Sequence, residues 1–198
     1  MIKHHIFQKT GLFALILGLI FTSCSKKNDP APDDGDNVLE MVAIKDLNGL
    51  DKGHVCFSLE QKKEVEESSK DWDIKFSGAT ISFGNGASGQ MVEGILSSYM
   101  TAPEDGYSAS GITGNGSYYT NTTSQTVPNH AILMKPGILI VVKTAKGRYA
   151  KIEMIGYYKG NPDIATADFA DIPTRNEKWP KQHYTFNYVL QPNGTNKF

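Results

Sequence analysis

The sequence predicts an all-β, antiparallel fold with few or no helices. Apolar and polar residues alternate with period two in segment after segment, Gly-bearing turns separate them, and no long stretch keeps a helical period.

In order along the chain, "HVCFSLE" puts Val55, Phe57 and Leu59 on one face of a strand. "DWDIKFSG" puts Trp72, Ile74 and Phe76 on one face and Asp71, Asp73 and Lys75 on the other. "ILIVVKTAKGRYAKIEMIGYYKG" reads as two strands joined at the turn "TAKG". In its second strand Ala150, Ile152, Met154 and Tyr158 share a face, and Lys151 and Glu153 point away. "HYTFNYVLQPNG" aligns Tyr184, Phe186, Tyr188 and Leu190 before a Pro-Asn-Gly turn. The one helical candidate is "QMVEGILSSYM", residues 90–100, short and interrupted by Gly94. Strands with turns between them imply hairpins rather than βαβ units.

Residues 1–23 have the layout of a secretory signal: a basic start, the apolar run "GLFALILGLIF", then small residues. That run falls short of the ~20 residues a spanning helix needs. Cys24 follows in "FTSC", which resembles the lipobox of bacterial lipoproteins, with Phe21 where Leu is more usual. The resemblance implies cleavage before Cys24, lipid on that residue and attachment to a membrane. An ordinary signal with Cys24 as a bystander is the alternative. Residues 24–37 are polar, acidic and Pro-bearing, a disordered tether, and residues 38–198 form the β domain.

Loss of Lys3 and Lys9 with the signal lowers the basic count from 20 to 18 against 21 acids, a formal charge near −3. No basic stripe invites nucleic acid. Cys56 is left without a disulfide partner and reads as a small strand residue.

"GNGASG", residues 84–89, spells G-x-G-x-x-G, but the βαβ unit that a dinucleotide fingerprint needs is missing, so it reads as a glycine loop. "GYSAS", residues 106–110, ends in Ser110 where a nucleophile elbow has Gly. His54, His130 and His183 stand apart, without the clustering that catalysis or zinc requires. The expectation is a binding protein rather than an enzyme.

His130 and Met134, in "PNHAILMKPG", fall on one face if the segment is a strand. Imidazole and thioether both ligate haem iron, although a core-facing strand would show the same pattern.

"WDIKFSGATISFGNGASG", "APEDGY", "LIVVKTAKGRYAKIEMIGYYKG" and "YTFNYVLQPNG" resemble, in that order, the HmuY-like surface lipoproteins of Bacteroidetes. The resemblance spans most of residues 50–195. It implies an all-β fold, an outer-membrane lipoprotein on the cell surface, and capture of haem or a related porphyrin. Handover to a TonB-dependent uptake receptor, and so a part in iron acquisition, is implied with it. In haem-binding members a longer segment after the Asp-Gly-Tyr turn supplies axial ligation. Here it is shortened to residues 108–137, rich in Gly, Ser and Thr. Met134 and His130 are the ligand candidates, Met100 a candidate partner, and Tyr118, Tyr119 and Tyr107 candidate pocket walls. The alternative implied by the shortened segment is a glycan- or protein-binding accessory module of the same fold.

Overall fold

A computed structural model describes residues 39–198; the signal, Cys24 and the tether lie outside the described residues. Eleven strands and two short helices follow one another as β1 (Met41–Asn48), β2 (Val55–Ser58), β3 (Lys63–Val65), β4 (Ile74–Ser77), β5 (Thr80–Phe83), β6 (Ser88–Glu93), β7 (Tyr119–Asn121), β8 (Ile132–Met134), β9 (Ile138–Lys143), β10 (Tyr149–Tyr158), α1 (Ala167–Ala170), α2 (Ile172–Lys178) and β11 (Lys181–Gln191). The domain is β-dominated and its pairings are antiparallel.

Two sheets form the body: a five-stranded sheet in the order β1-β11-β10-β9-β6, and a four-stranded sheet in the order β3-β2-β4-β5. Their facing side chains make one core. Phe57 meets Phe186 edge-on at 5.4 Å between ring centroids, and Phe76 stacks on Tyr184 at 4.5 Å. Large aromatic areas removed from water, with favourable ring geometry, drive this packing. The predicted faces are present: Ala150, Ile152 and Met154 from β10, and Tyr184, Phe186 and Tyr188 from β11, are all buried in that core.

The outer face of the five-stranded sheet is also covered. Val141 and Tyr149 lie under Ala102, with Val92, Tyr99, Tyr107 and Phe198 packed alongside. Lys151 points to this side as expected, yet it is buried and donates to the Tyr99 carbonyl at 2.7 Å.

The helical candidate at 90–100 is not a helix: Ser88–Glu93 is strand β6, paired with β9 from Ser88↔Lys143 to Glu93↔Ile138, and a turn follows. Pairing along β9 outweighs the weak helical period of a segment broken by Gly94, whose added Cβ would lie 2.8 Å from the Tyr99 ring. The helices lie instead at 167–178. Thr166 caps α1 by accepting from the Phe169 N–H, and Asp171 caps α2 by accepting from the Thr174 N–H at 2.9 Å.

The glycines of "GNGASG" answer to packing. A Cβ on Gly84 would lie 2.0 Å from Trp72, and one on Gly89 2.1 Å from Phe83, while Gly86 turns the chain at φ +90°. The spacing serves two aromatic contacts and one turn.

Candidate functional site

β7 and β8 form a small separate ladder that pairs Tyr119 with Met134 and Asn121 with Ile132. It lies beside the end of β10, where the Tyr158 hydroxyl accepts from the Ile132 N–H at 3.1 Å. Ile132 and Met134 alternate on β8 and, with Ile155, Tyr157, Pro162 and Ile164, wall a groove of about 90 Å³. Met134 is half-buried there, and Ile155 and Ile164 are exposed along the rim at 36% and 44%.

His130 does not share that strand. It lies in the turn before β8 at φ +45°, with its side chain exposed. The period-two relation to Met134 fails because Pro128 and Asn129 turn the chain, and the strand begins only at Ile132. Met100 is 57% exposed and lies near the covered outer face of the large sheet, where its carbonyl accepts from the Phe198 N–H at 2.8 Å. Met134 packs against the core between the sheets. The five-stranded sheet therefore separates Met100 from Met134.

Tyr118 and Tyr119 are core residues rather than groove walls, 3% and 8% exposed. The Tyr118 hydroxyl donates to the Ala79 carbonyl at 2.8 Å, and burial holds its ionisation well above the usual phenol range. Burial likewise pushes Tyr157 up to about 12. Tyr107 belongs to the outer face, edge-on to Tyr149, with its hydroxyl on the Pro103 carbonyl at 3.0 Å. The phenols of Tyr107, Tyr118 and Tyr157, all pushed up by burial, are neutral packing groups at physiological pH.

Two wider clefts among the described residues are polar. One of about 310 Å³ runs past Lys52, His54, Glu64, Glu66 and Glu67, where Lys52 pairs with Glu64 and Glu66 and the His54 ring lies 3.0 Å from the Glu67 carboxylate. The other, about 250 Å³, is lined by Lys45, Asp46, Gly160, Asn161 and Thr185. Cys56 borders the first, and burial pushes its thiol up to about 11, which leaves it unreactive. No group of three or more His, Cys, Asp or Glu among the described residues could hold a metal ion.

Sequence reasoning missed the part of the groove supplied by the loop after β10, Pro162 and Ile164. "GNPDI" carried turn residues followed by an apolar residue, but nothing in it specified a wall.

No family model and no curated protein matches the chain. Solved structures similar to it include an apo HmuY analogue of Tannerella forsythia, 15% identical over 78% of this chain and 96% of that one, TM-score 0.48. Apo PinO from Porphyromonas gingivitis is 13% identical over 77% and 96%, TM-score 0.49. A protein from Bacteroides vulgatus, provisionally named HmuY-like and heme-binding, is 11% identical over 75% and 90%, TM-score 0.41. The chain resembles the HmuY-like proteins. At identities and TM-scores this low, no residue's role is carried across.

The residues present fit haem only in part. Axial ligands approach an iron from opposite sides of its ring. Met134 has Met100 across a sheet and His130 in an outward turn, so the three candidates do not assemble into one pair. The groove is also smaller than the ~300 Å³ at which enclosing pockets begin. It can take an edge of a flat apolar ring, with the Met134 thioether alongside.

Proposed function

We propose that this chain is an exported, lipid-tethered binding protein without catalytic activity. It would capture a flat, largely apolar ring, haem or a related porphyrin, by an edge along the groove at β8, where the Met134 thioether would supply the soft contact. The observation that carries this reading is the half-buried Met134 in a groove lined mostly by apolar side chains, whose rim residues, Ile155 and Ile164, are exposed. Burial of that rim against a ring edge is favourable at ~25 cal/mol per Å², and a thioether is a soft ligand suited to iron in haem.

Lipid on Cys24 would hold the domain at the outer membrane, facing outward, with the tether 24–37 giving reach. Delivery to a TonB-dependent receptor completes the reading. No helix among the described residues is long and apolar enough to cross a membrane. Haemin titration of the domain with and without Met134→Ala tests the site: a saturable Soret change that the substitution abolishes is expected.

A second reading, an accessory module that binds a glycan or a protein, is favoured by the separation of Met100 and His130 from Met134 and by the polar character of the wider clefts. In that case haemin gives no saturable change.

A further inference from the structure

We infer that Arg175 is a positioning residue for the groove: its buried guanidinium sets the backbone of the turn at Asn129 and His130, and through it the placement of Ile132 and Met134. The inference deepens the groove reading and rests on it for the importance of Met134.

Arg175, on α2, is 2% exposed, and no carboxylate pairs with it among the described residues. A buried charge without a counter-ion is costly unless its donors are used. Here Nη1 donates to the Phe169 carbonyl at 3.1 Å, while Nη2 donates to the carbonyls of Asn129 and His130 at 3.0 and 3.3 Å. The rings of Phe169 and Tyr158 lie 5.2 and 6.0 Å from the guanidinium carbon, close enough for cation–π attraction. The Nε–H and the Asn129 side-chain oxygen are each buried without a partner among the described residues.

Two routes lead from this cation to β8. The first is the turn. His130 holds a left-handed backbone at φ +45°, a conformation that a non-glycine residue keeps only where its surroundings impose it. Arg175 holds the turn at its two carbonyls. Thr122 holds the next residue, its hydroxyl accepting from the Ala131 N–H at 2.7 Å and its own N–H donating to the Ala131 carbonyl at 2.8 Å. The second route is Tyr158, which faces the guanidinium and accepts from the Ile132 N–H. One side chain of α2 therefore holds the turn that starts β8 by hydrogen bonds and faces the phenol that receives its first N–H from 6.0 Å. The competing role is purely local: through the Phe169 carbonyl, Arg175 would only staple α1 to α2.

The test uses the full chain with 13C-methyl methionine and no haem. Methyl spectra and amide exchange are recorded for wild type, Arg175→Met and Arg175→Lys, well below their melting temperatures. Positioning predicts a displaced or broadened Met134 methyl signal in Arg175→Met, and amide exchange at Ala131 and Ile132 faster by about tenfold or more. The signals of Met91 and Met100 should stay in place, and Arg175→Lys should fall between, because a single ammonium cannot hold the turn carbonyls and the Phe169 carbonyl together as the guanidinium fork does. A lowered melting temperature with Met134 unmoved would overturn the inference in favour of the helix staple. If Arg175→Met does not fold, Arg175→Lys decides by the same signals; failure of both to fold would also overturn it, since the role would then be global. A Met134 that moves here while wild type ignores haemin upholds the positioning role and defeats the ligand reading alone.

Discussion

The carboxylate of Asp73, just before β4, accepts a hydrogen bond of 2.9 Å from the Leu59 N–H just after β2, inside the domain and 5% exposed. Burial pushes this carboxyl up to about 6, with Glu60 adding repulsion, against the opposing pull of the Leu59 N–H and Lys146. The folded value exceeds the ordinary 3.8, so folding favours the neutral form. That stability is fully present below the unfolded pKa, near 4, and is lost as pH rises through about 6. Urea denaturation at pH 7 and pH 4.5 should show Asp73 contributing on the order of 2 kcal/mol more at the lower pH. Asp73→Asn should flatten this part of the pH dependence; an unchanged slope in that variant would refute the assignment.

Phe76 stacks on Tyr184 and tilts against Phe186 at 5.4 Å, joining the two sheets. Phe76→Ala should cost about 3–5 kcal/mol, measured as a lower denaturant midpoint at unchanged slope. A loss below about 1 kcal/mol would mean the sheets close over the gap without it.

Gly84→Ala and Gly89→Ala should each destabilise by about 1–3 kcal/mol, because the new methyl groups meet the rings of Trp72 and Phe83. Thermal melts of both variants check this. Unchanged melting would show that the loop has room, and the packing account of this glycine spacing would fall.

The strands were legible where large apolar residues alternate with polar or smaller ones in the sequence, even where the fold covers both faces. Tyr184, Phe186 and Tyr188 alternate with less apolar neighbours, so β11 declared both its period and its core side. The β9–β10 hairpin declared itself by its Gly147 turn at φ +74°. The site was less legible. His130 and Met134 have strand spacing, but a three-residue strand cannot sustain alternation back through a Pro-Asn turn, and that turn is held by Arg175, 45 positions away from His130. Tyr118 and Tyr119 are amphipathic, and only the fold places the Tyr118 hydroxyl on Ala79 inside the domain. The helices at 167–178 did leave local signals: Thr166 and Asp171 at cap positions and Pro173 in the first turn of α2.

His130 is exposed in its turn, and its ring makes no hydrogen bond among the described residues. His130→Ala should leave stability within about 0.5 kcal/mol by urea denaturation. His130→Gly should match or exceed wild type, since glycine accepts φ +45° without strain. A marked loss in His130→Ala would assign the imidazole a structural partner.

The groove at Met134 is the proposed ligand site. Its most direct measurement is a haemin titration of the domain, followed by absorbance in oxidised and reduced states, for wild type, Met134→Ala, Met100→Ala and His130→Ala. A saturable Soret shift is expected in wild type, kept in Met100→Ala and His130→Ala and lost in Met134→Ala. A featureless wild-type titration, or a shift indifferent to Met134, would contradict it.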